Sequence, residues 1–324
     1  MSASDAPVPP PAPGEPPPPP PERQTFPFLV LQFFIFPLGI VAVCVAVFVI
    51  FGLIASEGKG ARAYLADVRT GGTNRRWQAA FELSKVLHAR KDAVIADPAF
   101  AEEVIRTFEE SSRDDPRVRR YLAVAMGRLG DRRAVPVLVR ALDEGGTDGD
   151  QPADAETRIY AIWALGAIGD PAAVPALERM AAGEDAGVRK AAVHALGALS
   201  GEEQAAALRR GLDDAVEDVR WNAALALGRR RDAAAVPVLL QMMDREHLAG
   251  VPGLTAEQQE EAVLQAVGAA AALSDPALRA AVERLQQGDP SLRVREAARA
   301  ALAVAGAARD RSGSPSSPSS KSPE

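Results

Sequence analysis

The sequence predicts an all-α protein: an α-solenoid of about seven helical hairpins, preceded by one transmembrane helix and flanked by disordered tails. Three observations carry this expectation. A pattern with Arg at its anchor and Gly eight positions later recurs between residues 74 and 308. Residues 24–56 hold no charged side chain. Hydrophobic residues make up 47% of the chain but aromatics only 5%. Ala, Val and Leu supply most of that apolar content, which favours closely packed helices over an aromatic and β-branched sheet.

In chain order, residues 1–25 come first as a proline-rich arm, with proline at half of positions 1–22. Proline fixes φ and lacks an N–H, so this arm is expected as polyproline II or a disordered spacer, with a PxxP ligand as the alternative. Residues 26–56 are expected to form the transmembrane helix. Their apolar core, residues 28–55, reads FLVLQFFIFPLGIVAVCVAVFVIFGLIA. As a helix it would run about 42 Å, against a hydrocarbon thickness of about 30 Å. Pro37 is a natural kink site. A cleavable signal peptide wants a basic leader and a shorter apolar run, and this leader is acidic and proline-rich. Lys59, Arg62, Arg69, Arg75 and Arg76 follow the segment, against Arg23 alone before it. The positive-inside tendency then places the repeats in the cytoplasm of a single-pass membrane protein. The Ala, Arg, Gly and Pro bias suits a bacterial inner membrane. The single cysteine, Cys44, lies inside the apolar segment, so neither an intrachain disulfide nor a thiolate metal cluster can form.

Residues 57–73 read as a connector, and the repeat array is expected over 74–308. First helices align on Arg76, Arg119, Arg158, Arg189, Arg220, Glu260 and Arg295, separated by 43, 39, 31, 31, 40 and 35 residues. Eight positions on stand Gly127, Gly166, Gly197, Gly228 and Gly268, with Ser84 and Ala303 at the ends. A mid-helix Gly costs about 1 kcal/mol relative to Ala. Its recurrence predicts helices crossing too closely for a Cβ. Second helices read AVPVLVRAL from Ala134, AVPALERMA from Ala173 and AVPVLLQMM from Ala235. In the turns between them, Gly130 and Gly169 suit a left-handed helix end. Asp131 and Asp170 suit the next N-cap, and Pro136, Pro175 and Pro237 suit a first turn. The polar stretches Asp143–Glu156 and Glu246–Thr255 read as insertions between repeats, free to carry a specific contact. Residues 309–324 are a Ser/Pro-rich tail, expected to be disordered.

The frame D-x-x-V-R-x-x-A-A-x-A-L-G-x-x-G-D-x-x-A-V-P-x-L resembles HEAT repeats, more narrowly the HEAT-like repeats named from phycobilisome lyases. The resemblance covers about 235 of the 324 residues and is strongest in the repeats anchored at Arg158, Arg189 and Arg220. It implies a fold shared by bilin lyases, di-iron deoxyhypusine hydroxylase, some DNA glycosylases and many scaffolds. It also implies that each anchor Arg pairs with an Asp of an adjacent loop, with Asp185 and Asp218 as the local acids. The hydroxylases use His-Glu dipeptides to hold two irons. Here His88, His194 and His247 are the only histidines and none precedes Glu, so no metal, cofactor or catalytic residue is expected. There is no G-x-S-x-G, no P-loop and no G-x-G-x-x-G.

Residues 60–311 carry 34 basic and 38 acidic side chains, a poor footprint for a nucleic-acid binder. The expected partner is another protein, membrane-associated like this chain, and no nucleic acid. The resemblance implies that second helices line the binding face, which nominates Arg140, Glu178, Arg179, Arg209, Arg210, Gln241 and Arg284 as contact residues. Arg209 and Arg210 adjoin Asp213 and Asp214, so a mixed-sign protein surface fits better than a phosphate track. Trp77 and Trp221 directly follow their anchor Arg, a shared position that predicts packing. Within residues 217–244, Arg229 to Arg231 and Met242–Met243 depart from the frame and are the residues left to distinguish a partner. The expected function is a membrane-anchored scaffold without catalysis; the alternative is an enzyme related to the HEAT-like lyases or hydroxylase.

Overall fold

The computed structural model describes residues 36–55, 60–89, 93–143 and 155–313, and among them every regular element is a helix. The chain divides into two units, Met1–Gly58 and Lys59–Glu324. In the first, α1 (Phe36–Ala55) is an uncharged helix of 20 residues. Its described side chains, 38–49, are exposed, Leu38 at 68% and Phe48 at 81%. The expected transmembrane segment over 26–56 is therefore not supported as a complete span. Residues 26–35 and 56 lie outside the described residues, and no helix among those described is long and apolar enough to cross a membrane. Twelve side chains at the helical rise cover about 18 Å of a core about 30 Å thick. The proline arm and the end of the Ser/Pro tail also lie outside the described residues.

The second unit opens with α2 (Ala61–Thr70). The stretch read as a connector is thus mostly helical, burying Ala61, Leu65 and Val68 against α3 (Thr73–His88). Its apolar residues fall at i, i+4 and i+7, one face of a helix. Hairpins follow: α4 (Pro98–Glu110) after α3, then α5 (Pro116–Leu129) with α6 (Val135–Asp143), and α7 (Ala155–Ile168) with α8 (Val174–Ala181). Next come α9 (Ala186–Ala198) with α10 (Glu203–Gly211), and α11 (Glu217–Arg229) with α12 (Val236–Met243). A short α13 (Arg245–Gly250) forms within the insertion that the sequence presents as a loop. Then α14 (Ala256–Ala270) pairs with α15 (Pro276–Gly288), and α16 (Leu292–Gly313) ends the array, reaching into the stretch assigned to the tail.

First helices α3, α5, α7, α9, α11, α14 and α16 pack each on the next. The residue before the frame glycine, or its equivalent, is buried in each complete unit: Leu83, Met126, Leu165, Leu196, Leu227 and Val267 are at most 1% exposed. Second helices contribute Leu138, Leu177, Leu208 and Leu239, all at 0%. Each such burial contributes about 1.5–3 kcal/mol, and each uses a neighbouring repeat, which is why one hairpin cannot stand alone.

The turns follow short-range chemistry. Gly130 and Gly169 have φ of 68° and 74°, and Arg231 occupies the same place at 60°. Asp131, Asp170 and Asp232 each accept a hydrogen bond from the backbone N–H two residues on, at 2.9, 2.9 and 3.0 Å. Pro136, Pro175 and Pro237 then sit second in their helices, where no N–H is required.

The frame glycines mark close crossings. A Cβ on Gly127 would lie 2.9 Å from the Ala164 Cα, one on Gly166 2.9 Å from the Ala195 Cβ, and one on Gly197 2.7 Å from the Ala226 Cβ. At Gly228 the partner changes: the Cβ would meet Ala269 at 3.1 Å, whereas around Gly268 there is open space. Ala164, Ala195 and Ala226 each stand two residues before a frame glycine, but Ala269 stands one after. The stack therefore slips by close to one helical turn between α11 and α14. The slip coincides with α13.

Candidate protein-contact surface

The anchor arginines bind the preceding second helix. The side chain of Arg189 donates to the carbonyls of Gly183 and Glu184, just past α8, at 3.1 and 2.7 Å. Arg220 donates to the Asp214 carbonyl at 2.6 Å, Arg295 to that of Asp289 at 2.5 Å, Arg158 to that of Leu142 at 3.0 Å, and Arg76 to that of Val68 at 2.7 Å. Leu142 and Val68 lie in the last turn of their helices, where carbonyls lack an intrahelical partner, and the other acceptors stand one to three residues past a helix end; at either place a guanidinium opposes the negative end of the dipole. Arg119 is buried, its guanidinium 4.7 Å from the centre of the Phe108 ring.

Two anchors also reach forward to an acid ahead of the next first helix: Arg76 to Asp114 at 2.6 Å, and Arg189 to Asp214 at 2.8 and 3.1 Å. The hydrogen bonds from Arg189 hold the Asp214 carboxyl below its usual value. The nearby acids named from the sequence do other work. Asp185 caps α9 through the Val188 N–H, and Asp218 pairs with Lys190. In the unit whose anchor is Glu260, Arg245 of α13 supplies the missing guanidinium. It donates to both carboxylate oxygens of Asp289 at 2.9 Å, with the Asp289 side chain fully buried. Sequence reading missed this pair, because Arg245 stands just before the insertion and outside the frame.

Most of the nominated contact residues are joined to one another's repeats. Arg140 pairs with Glu109 at 2.5 Å, Arg179 with Asp143 at 3.0 Å, Arg210 with Glu178 at 3.7 Å and Arg209 with Asp232 at 2.6 Å. These ion pairs run from α4 to the start of α12 along the second-helix face. Exposed pairs contribute about 0–1 kcal/mol each, so they register the helices more than they stabilise them. Gln241 and Arg284, both exposed, carry no side-chain hydrogen bond or ion pair among the described residues.

Between α12 and α15 the ladder stops. A cleft of about 700 Å³ opens there, floored by Leu240, Met243, Ala281 and Leu285 and bordered by Arg284. Of the frame departures nominated in residues 217–244, Arg230 and Met242 are framework. Arg230 donates to the carbonyls of Gly201, at 2.5 Å, and Leu199, past the end of α9, and Met242 is fully buried. Met243 is buried as well but lines the cleft. Trp77 is half-buried with Arg117 stacked 4.3 Å from its ring centre, and Trp221 is 7% exposed. His194 is exposed, and His247 lies 3.5 Å from Glu217. Among the described residues no group of three or more His, Cys, Asp or Glu is placed to hold a metal ion.

This stacked all-α array, bound through its arginines, is an α-solenoid in which HEAT repeats are found. Residues 150–219 match HEAT repeats, and residues 118–144 and 219–245 match the PBS lyase HEAT-like repeat. No curated protein matches the chain. Among solved structures, human deoxyhypusine hydroxylase in complex with glycerol is 21% identical, over 76% of this chain and 96% of that one, with a TM-score of 0.31. The complex of CpcE and CpcF of phycocyanin lyase from Nostoc sp. PCC7120 is also 21% identical, over 76% and 97%, with a TM-score of 0.48. At that identity and superposition neither bears on activity.

Proposed function

We propose that this chain is a membrane-anchored HEAT-repeat scaffold that binds another protein through its second-helix face and carries out no catalysis. The observation that carries the reading is the break in the ion-pair ladder between α12 and α15. Elsewhere along that face the nominated cations are matched by acids of the neighbouring repeat; at the break a cleft opens over the buried Met243, Ala281 and Leu285, and Arg284 beside it is exposed and unmatched. A cleft with one unmatched guanidinium at its border, and near-balanced charge around it, suits a protein partner.

The anchor part of the reading rests on the uncharged stretch 24–56. Within it α1 is a helix of 20 residues with no charged side chain. Basic residues follow the stretch, which favours repeats on the cytoplasmic side. The test is affinity purification from detergent-solubilised membranes of the full chain and of a chain lacking the repeats, with carbonate washing of the membranes beforehand. A partner recovered only with the repeats supports the scaffold, and retention after carbonate supports the anchor. Stoichiometric iron or a visible chromophore in the purified protein overturns the non-catalytic assignment.

A further inference from the structure

We propose that the cleft between α12 and α15 is a docking site for a segment of a partner protein that presents an apolar side chain next to a carboxylate. This rests on the scaffold reading and specifies the chemistry of its partner. On α15, Ala281, Arg284, Leu285 and Gly288 stand at i, i+3, i+4 and i+7, so one face of that helix borders the cleft; Leu240 and Met243 meet it from α12. The volume, about 700 Å³, falls in the range of sites that take a small ligand or a few side chains, about 300–1,000 Å³.

The charges around the cleft select the occupant. Four charged residues border it: Asp244, Arg245, Arg284 and Asp289. Arg245 and Asp289 neutralise each other through two hydrogen bonds of 2.9 Å. The Asp244 carboxylate is turned to the start of α13, accepting from the N–H groups of Glu246 and His247 at 2.9 and 3.3 Å. Arg284 is the remaining cation, exposed and without a described partner. One carboxylate matches one guanidinium, with a charge-assisted bidentate geometry available. A doubly charged phosphate would bring a second negative charge toward Asp244 with no further free cation in the cleft to offset it. The apolar floor takes the adjacent side chain, the helix-in-groove mode of recognition.

Displayed dodecapeptides selected on the full chain in detergent micelles test this, with the best sequence then made as a free peptide. Two variants spare the fold: Arg284→Glu changes an exposed side chain, and at Gly288 an added Cβ meets nothing within 4 Å, so Gly288→Phe has room to fill the cleft. Enriched sequences are expected to set Asp or Glu within one helical turn of Leu, Ile, Met or Phe. Affinity is expected to fall at least tenfold on Arg284→Glu and on Gly288→Phe, at unchanged thermal melting by circular dichroism. A peptide with Lys in place of its acid is expected to regain affinity for Arg284→Glu. No enrichment, enriched peptides without an acid, or equal affinity for both variants overturns the proposal. So does displacement by inorganic phosphate at constant ionic strength that treats acid and amide peptides alike, which assigns the site to phosphate. A membrane partner recovered equally by wild type and both cleft variants sinks the cleft and leaves the scaffold standing. Peptide binding without any repeat-dependent partner does the reverse.

Discussion

Asp214, in the turn ahead of α11, accepts two hydrogen bonds from Arg189 of α9, at 2.8 and 3.1 Å. Its carbonyl accepts from Arg220 at 2.6 Å and its carboxylate from the Val216 N–H at 2.9 Å. One acid therefore ties two first helices to the end of the second helix between them. Both side chains of the pair are mostly shielded, at 15% and 12% exposure.

Replacing Asp214 by Ala leaves a shielded guanidinium without its carboxylate. A loss of about 2 kcal/mol is expected, in the range for hydrogen bonds to charged groups. Arg189→Ala should cost a similar amount. Because the two act on each other, the double variant should fall short of the sum by about 1–2 kcal/mol. Urea unfolding of the four proteins measures this, and strict additivity would show that the pair contributes nothing jointly.

The same acid sets a pH dependence. Arg189 first, through its hydrogen bonds, holds the Asp214 carboxyl below the ordinary 3.8, and Arg133 does likewise for Asp131. A depressed carboxyl contributes stability that is fully present above its unfolded value and is lost as pH falls through the folded one. Stability is expected to be flat from neutral pH to about 5 and to drop below that. Asp214→Asn should lower the plateau and flatten the acid limb. An unchanged limb in that variant would remove Asp214 from the account.

Glycine-to-alanine changes should have opposite signs at two positions of the same frame. At Gly197 the new Cβ would lie 2.7 Å from the Ala226 Cβ. Helices must part there, and overpacking of this kind costs about 1–3 kcal/mol. At Gly268 the Cβ meets nothing within 4 Å, so the helix-propensity gain of about 1 kcal/mol is realised. Melting temperatures of Gly197→Ala and Gly268→Ala decide it; equal shifts in the same direction would contradict the slipped stack.

Arg231 holds φ at 60°, where two sister turns have glycine. A left-handed non-glycine residue is strained by about 1–2 kcal/mol, and the Arg231 side chain is exposed. Arg231→Gly should therefore raise stability by about 1 kcal/mol. A fall in stability would mean that the Arg231 side chain does unseen work.

How far the chain could be read depended on how far apart the interacting residues lie. The turn around Gly130–Asp131 and its copy at Gly169–Asp170 were legible, because backbone handedness, the Asp cap and the following Pro act within seven residues. The frame glycines were legible as close crossings at Gly127, Gly166 and Gly197, where spacing is regular. Gly268 carries the same signature and faces open space, because whether a crossing is close depends on how the next helix is set and not on the glycine itself. The connector was misread for a different reason: α2 has only a short apolar face, and its burial depends on α3. The site was least legible. Arg140, Arg179, Arg209 and Arg210 were nominated as contact residues, and the acids of neighbouring repeats that pair with all four lie 23 to 36 residues away in the chain.

By itself, the sequence determined the all-α class, the repeat frame, the turn chemistry and an uncharged segment ahead of the array. Those are properties of residues within a turn or two of one another. The tertiary structure decided which acid meets which arginine, where the stack slips, and that a cleft with one unmatched guanidinium opens between α12 and α15. Arg245 and Asp289 lie 44 residues apart, and their pairing depends on how one hairpin is set upon the next. That setting is a sum of packing contacts across repeats, which no local pattern in the chain encodes.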